Sequence, residues 1–422
     1  MRNRISARMV GMAAVVWAGL AATARAGDIT PPPGPIVPTM KTLDQIEPRI
    51  AVSTANTPGT ATALLRISQP GSYYLAGNIT GVASKSGIEI AASDVTLDMN
   101  GFRMVGVAGS LAGISVTSGQ SNVAIRNGTL RSWGGGGIAA GSCAGCIVEE
   151  VRSIGNTGHG MQLGPDSMVR RCYCVGNSGT GILASSPSEV NDCLVRTSGS
   201  SGLSVGDHSI VSGTVAQGNT STGVLVGAGA LVSGDIVAQN GLGVSASSGL
   251  NAVNCVSRNN TGHGFFCFGA SFTNCLTTVN GGDGFNTDAA VVIGCRATGN
   301  TGTGITSGNN SLVLHSVTVS NGLFGIHGNG GYILDNVCSL DCASSPSELR
   351  EIKSDSRGRV DGNHLYSTNS SLWGIGGTSS TLMMHNSING GFVPTFGGLE
   401  GTEVNSSNIA TVTNDYGNID LP

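Results

Sequence analysis

Charge is scarce in this chain of 422 residues: Asp, Glu, Lys and Arg together make up 11% of it. Aromatic residues are scarcer still, at 4%, and only three are tryptophan. These shortages exclude several classes. No run of basic residues occurs, which argues against nucleic acid as a partner. Beyond the first 22 residues no apolar stretch is long enough to cross a bilayer, so no membrane span is expected. No long 3.6-residue periodicity is present either, which excludes helical repeats of 33 to 47 residues.

The beginning of the chain reads as a secretory signal peptide. Arg2, Arg4 and Arg8 form a basic start, Met9 to Ala22 is a short apolar run, and Ala24-Arg25-Ala26 is a cleavage site. Residues 1–26 are therefore expected to be removed, cleavage falling near Ala26, and the product to be secreted or extracytoplasmic. The removed part contains four arginines and no acid. That leaves 17 basic residues against 25 acidic ones, a net charge of −8. Such a surface disfavours nucleic acid and anionic lipid alike.

Glycine is what the chain has in quantity, with 67 residues. A Gly followed by an apolar residue recurs at Gly87-Ile88, Gly113-Ile114, Gly137-Ile138, Gly160-Met161, Gly181-Ile182, Gly202-Leu203 and Gly223-Val224. It continues at Gly243-Val244, Gly264-Phe265, Gly284-Phe285, Gly304-Ile305 and Gly325-Ile326. The spacing settles at 20 or 21 residues after longer first intervals. Repeats so short cannot fold singly, so they must stack. An Asn stands four residues before most of these glycines, at Asn156, Asn177, Asn219, Asn260, Asn280, Asn300 and Asn321, with Ser198 once and Asn240 one residue nearer. Asn suits a left-handed turn and stacks through its amide, and Gly is expected to take backbone geometry closed to other residues. Between turns the residues alternate, as in Leu203-Ser204-Val205, which is a strand period.

The pattern predicts an all-β fold: a right-handed parallel β-helix of about 20- to 21-residue coils with short capping elements. The entry Ile67-Ser68-Gln69-Pro70-Gly71-Ser72-Tyr73-Tyr74-Leu75, the later Val95-Thr96-Leu97-Asp98-Met99-Asn100-Gly101-Phe102 and the Gly-Ile coils resemble bacterial right-handed parallel β-helix repeat proteins of the pectate-lyase-like superfamily. The resemblance spans roughly residues 61 to 395. It implies the fold but not one activity, because that fold hosts lyases, hydrolases, epimerases and non-catalytic surface proteins.

The expected organisation is a signal peptide over 1–26, a Pro-rich linker and N-terminal cap over 27–60, the β-helix over 61–395 and a capping tail over 396–422. Two short helices are predicted at its ends. One covers Lys41 to Ile50; the other is an insertion near 345–353, where Ser345-Pro346-Ser347-Glu348 carries a helix start signal.

Eleven cysteines in a secreted chain suggest disulfides, but their register suggests a column. Cys172, Cys193, Cys255, Cys275 and Cys295 all lie five residues before the turn position, where Thr214, Asp235 and Ser316 stand in other coils. Small residues filling an inward column are the favoured account, although stacked neighbours fall within bridging distance. Cys143-Ala144-Gly145-Cys146 lacks a second ligand pair at zinc-finger spacing, so no metal and no cofactor is expected.

Gly158-His159-Gly160 and Gly262-His263-Gly264 resemble the Gly-His-Gly of polygalacturonases, and Asn286-Thr287-Asp288 resembles their Asn-Thr-Asp. The order is reversed for one copy, and the coil after Asp288 offers Ile293-Gly294-Cys295 where paired acids belong. Both histidines share a position held elsewhere by Thr180, Ser201 and Thr303, so they read as turn residues.

One charged constellation remains. Glu149-Glu150, Arg170-Arg171 and Asn191-Asp192 fall seven and six residues before the turn on three successive coils, which makes two columns of alternating sign. As a solvated ion-pair ladder it pins register. As a groove, Glu149, Glu150, Arg170, Arg171 and Asp192 form a candidate carbohydrate site, with carboxylates for acid and base work and Arg for a uronate. Elsewhere the outward positions are expected to be mainly Ser, Thr, Asn and Gly. The expected function is a non-catalytic surface or matrix protein with a polysaccharide or cell-surface glycan as partner. The alternative is a polysaccharide lyase or glycoside hydrolase acting on an acidic polysaccharide.

Overall fold

A computed structural model describes residues 49–342, 350–367, 373–377, 381–390, 403–404 and 418–421. The expected signal peptide, the expected Pro-rich linker and most of the expected cap lie outside the described residues. Most coils hold three short strands, as in Ile182–Ala184, Ser188–Asn191 and Leu194–Arg196, while Val123–Arg131 and Ile147–Ile154 each run unbroken through the last two. We call the three surfaces they build the first, second and third faces. First-face strands form one 15-stranded parallel sheet, from Ala63–Ile67 to Trp373–Gly377. Second- and third-face strands join in a 31-stranded sheet. Pairing is in register from coil to coil: Met161 faces Ile182, which faces Leu203.

Alternation turns one side of every strand inward. Ile88, Ile114, Ile138, Met161, Ile182, Leu203, Val224, Val244, Phe265, Phe285, Ile305 and Ile326 form a single fully buried column beneath the first face. Where it widens, Phe265 and Phe285 stack at 5.2 Å, and Phe272 meets both edge-on. Burying each such side chain contributes about 1.5–3 kcal/mol, so the stack as a whole is the main stabilising term. Trp133 is fully buried too, and its Nε1–H donates to the Met104 carbonyl.

The turn column is an amide ladder. Asn156 Nδ2 donates to Asn177 Oδ1 at 2.9 Å, and Asn219, Asn240, Asn260, Asn280, Asn300 and Asn321 continue the pattern. Each Oδ1 also accepts the backbone N–H of the residue at the same position one coil earlier, an Asn in most coils, Trp133 for Asn156 and Ser198 for Asn219. These asparagines are nearly fully buried, so the ladder satisfies groups that would otherwise be costly to bury. It has a gap at Ser198, whose Oγ has no partner.

Two conformational expectations are corrected. The left-handed residue is not the Asn but the one before it: Gly155, Gly176, Thr197, Gly218, Gln239, Asn259 and Val279 all have positive φ. The repeated Gly is required for space rather than for φ. A Cβ on Gly181 would lie 2.2 Å from Val195 Cγ1 and 2.7 Å from the Gly202 carbonyl oxygen.

Both predicted helices also give way to strands where they are described. Ile50 opens the strand Ile50–Val52, which pairs with Gly71–Leu75. Arg350–Ser354 is a first-face strand whose Ile352 sits in register with Ile326 and Ile375. Stacking on the coils above and below outweighs the local start signal, as tertiary pairing commonly does. The rest of both segments lies outside the described residues. Of the expected C-terminal tail, Asn418–Leu421 forms a strand beside Ser387–Gly390.

All eleven cysteines are buried free thiols. Those of the column donate Sγ–H to carbonyl oxygens, Cys172 to Val148, Cys255 to Val232 and Cys275 to Ala252. Burial pushes the Cys174 and Cys338 thiols up, which makes them poor nucleophiles. Thiol titration of the denatured, unreduced protein should therefore find close to eleven reactive groups; near-complete oxidation would mean that the column is bridged.

The same column carries an ill-matched group. Asp235 is fully buried between Thr214 and Cys255, with Oδ1 accepting the Thr214 N–H and Oδ2 left without a partner. Burial pushes its carboxyl up to about 8. Further along, the same position holds Asn336, Asn363 and Asn386, each satisfied by its neighbours. Between about pH 4 and 8 the folded state keeps a proton that the unfolded chain has released, so this group's contribution to stability falls as pH rises through that window. Asp235→Asn should match the wild type near pH 4 and become several kcal/mol more stable toward pH 8, since moving the carboxyl from about 4 to about 8 corresponds to about 5 kcal/mol. Denaturant unfolding across that range measures it; parallel profiles would show that Asp235 does not titrate as described.

Candidate functional site

The predicted constellation assembles where the second face turns into the third. Strand Ile147–Ile154 sets Glu149 in register with Arg170, and Arg170 pairs onward with Asn191. Glu149 accepts a hydrogen bond from Arg170 Nε. On the neighbouring column Arg171 Nε donates to Glu150 Oε1 at 3.1 Å, and Arg171 Nη2 lies 3.5 Å from Glu149 Oε1. Asp192 follows Arg171 in that column; among the described residues no cation lies within ion-pair distance of it. Asn191 instead accepts from Ser212 Oγ at 2.6 Å.

The corner imposes an unusual backbone. Glu150, Arg171 and Asp192 have φ of 53°, 52° and 53°. Other coils fill this position with residues suited to it, including Gly213, Gly234, Asn254, Asn274 and Gly294. A long side chain in the left-handed region costs roughly 1–2 kcal/mol per residue. Three charged residues in succession there are therefore tolerated against local preference.

Strain, exposure and shape coincide at this corner. Side chains of Glu150 and Arg171 are 56% and 51% exposed, against 20% for Glu149. Glu150, Arg152, Ile154, Arg171, Tyr173, Asp192 and Leu194 line an open concavity of about 670 Å³. Arg171 uses two of its three nitrogens on the glutamates and keeps further N–H donors for a ligand. Tyr173 is half-buried and sits one strand position beyond, offering a ring face.

Some members of the ladder were not legible. Asp98 pairs with Arg126, and Arg126 with Glu149, in strand register. Arg126 Nε and Arg49 Nη1 lie 3.5 Å and 3.3 Å from Asp98 Oδ2. The first coils are longer than 21 residues, so counting back from the turn does not reach them. On the first face, His327 Nε2 lies 2.6 Å from Asp355 Oδ2, with Lys353 Nζ 3.5 Å from Oδ1. These residues are 28 positions apart and share no sequence motif.

The two Gly-His-Gly histidines are engaged with backbone. His159 Nδ1 accepts the Thr180 N–H and His263 Nδ1 accepts the Asp283 N–H. Of the Asn-Thr-Asp triplet, Asn286 donates to Asp283 and the Thr287 hydroxyl donates to the Cys267 carbonyl. Cys143 and Cys146 are both buried. Among the described residues no three His, Cys, Asp or Glu side chains are placed to hold a metal, and no helix is long and apolar enough to cross a membrane.

The outward surface departs from expectation in one respect. Instead of mainly small polar residues, the third face carries Tyr173, Leu194, Val215, Ile236, Val256 and Leu276 on six successive coils. The second face carries Val291, Ile293, Leu312, Leu314, Tyr332 and Leu334 on three. Tight parallel pairing favours β-branched and large apolar residues on both sides of a strand, which the alternation rule understates.

Fold and register define a right-handed parallel β-helix protein. Residues 75–221 match the family model described as a right handed beta helix region. No curated protein sequence matches the chain significantly. Among solved structures it is similar to the A-module of a mannuronan C-5 epimerase of Azotobacter vinelandii, at 14% identity over 84% of this chain and 89% of that one, with a TM-score of 0.40. It is also similar to the tailspike protein of E. coli bacteriophage HK620 solved with a pentasaccharide, at 13% identity, 83% and 72% coverage and a TM-score of 0.47. A third is the receptor binding domain of the siphovirus 9NA tailspike, at 10% identity, 91% and 78% coverage and a TM-score of 0.40. Likeness at this level concerns the fold alone.

Proposed function

We propose that this protein is a secreted, non-catalytic β-helix that binds carbohydrate at the corner formed by Glu150, Arg171 and Asp192. The observation that carries this reading is the coincidence there of an open concavity with charged side chains held in left-handed geometry. Arg171 offers planar donors to a carboxylate or to vicinal hydroxyls, the glutamates accept hydrogen bonds from hydroxyls, and Tyr173 packs on a ring face. Secretion rests on the basic, apolar and small-residue pattern of residues 1–26.

Binding is favoured over turnover by exposure. Glycoside chemistry is carried out in a site closed to bulk water, and Glu150 is more than half exposed. The second reading, a lyase or hydrolase acting on an acidic polysaccharide, draws on the adjacency of two carboxylates and two arginines in one ladder. Release of unsaturated uronides or new reducing ends from polyuronate would establish it in place of the first.

A glycan array containing neutral and uronate oligosaccharides tests the reading, followed by Arg171→Gly. Glycine removes the side chain and suits φ of 52°. The variant should lose glycan affinity by about tenfold or more, while its stability changes by no more than about 1 kcal/mol. If it instead unfolds several kcal/mol more easily with affinity intact, the ladder is a structural device.

A further inference from the structure

The third face is segregated by charge. Reading its outward positions from coil to coil gives Arg103 and Val105, Thr129 and Arg131, Arg152 and Ile154, Tyr173 and Val175, Leu194 and Arg196. Further coils add Gln217, Arg258, Thr278 and Arg296 to the same surface. No Asp or Glu occupies an outward position of the third-face strands from Arg103–Val105 to His364–Ser367. All six arginines are exposed. Arg103, Arg131, Arg152, Arg196 and Arg258 have no carboxylate within ion-pair distance among the described residues, and Arg296 turns its Nε toward Thr298.

This is unexpected for a chain whose acids outnumber its bases, 25 to 21. On the second face the charges are matched, with Asp98, Arg126, Glu149 and Arg170 alternating in register. Solubility alone is served by interspersed signs and leaves no reason to clear one face of acids. A face of uncompensated guanidinium groups is complementary to a polyanion.

From its placement we infer that the third face is a docking track for a linear polyanionic glycan, lying along the axis of the coils; this rests on the carbohydrate reading given above. Four coil steps separate Arg103 from Arg196, about 19 Å at ~4.8 Å per coil, and the two outward columns stand about 7 Å apart. On three successive coils Arg103, Arg131 and Arg152 alternate between those columns. An extended uronate chain carries one carboxylate per sugar and can set successive carboxylates against arginines on alternate columns. Bidentate contacts from such arginines fix those carboxylates, while Ile154, Tyr173, Val175 and Leu194 between them contact the C–H faces of the rings. The track is continuous with the corner site, since Arg152, Ile154, Tyr173 and Leu194 line the same concavity as Glu150, Arg171 and Asp192.

The test uses the full chain and three probes: polygalacturonate, neutral dextran and single-stranded DNA. Polygalacturonate should bind, weaken steeply with added salt, and bind about tenfold or more weakly to Arg131→Gln/Arg196→Gln, whose melting temperature stays at the wild-type value. Arg171→Gly separates the two readings. Loss of binding in Arg171→Gly with none in the double variant overturns the track and leaves the corner site standing. Loss in the double variant with none in Arg171→Gly supports the track and removes the corner. Dextran binding as tightly as polygalacturonate overturns the polyanion assignment, and DNA binding more tightly through the same arginines overturns the glycan.

Discussion

Register between coils is the constraint on which everything else in this molecule depends. A residue sits about 4.8 Å from its counterparts above and below, so its nearest neighbours are the same position one coil away. Buried polar groups must then be satisfied within their own column. Asn does this well, because its amide both donates and accepts along the stack, and the column from Asn156 to Asn321 repeats one bonding pattern on either side of Ser198. A carboxylate cannot, since it only accepts. The ladder ends at Asp341, which accepts from Asn321 and Thr318 and abuts Glu351. Burial first, then the neighbouring Asp341 charge, pushes Glu351 up to about 9, so this acid keeps its proton at neutral pH.

The same rule decides what the sequence reveals. Positions with one occupant type per column are legible, because repetition every 20 or 21 residues exposes them: the inward Ile and Phe, the turn Asn and the thiols. Backbone geometry is less so. The turn contains one left-handed residue and one buried amide, and sequence alone attached both properties to the Asn, whereas Gly176 or Val279 bends and Asn177 or Asn280 bonds. The predicted helix over 345–353 was a local signal with no access to the stacking that makes Arg350–Ser354 a strand.

The candidate site was legible in part for the same reason. Glu149 to Asp192 lie on regular coils and could be aligned by counting. Asp98 and Arg126 lie on longer coils and could not, although register joins them to the same ladder. The apolar outward stripe escaped because alternation was read as apolar inward and polar outward, a rule that suits antiparallel sheets better than parallel ones.

Stacking also governs where charge can stand. Like charges one coil apart repel along a column, and opposite charges attract. Both columns of the corner obey this, Glu149 above Arg170 and Glu150 above Arg171. On the third face the rule is met differently: no arginine has another as its register partner. Arg103 meets Thr129, Arg131 meets Ile154, Arg152 meets Tyr173, Arg196 meets Gln217 and Arg258 meets Thr278. Repulsion is relieved by spacing rather than by pairing, and spacing leaves these five guanidinium groups without a carboxylate partner among the described residues. Paired columns lock the coils in register; spaced ones leave a charged face open to whatever lies against it.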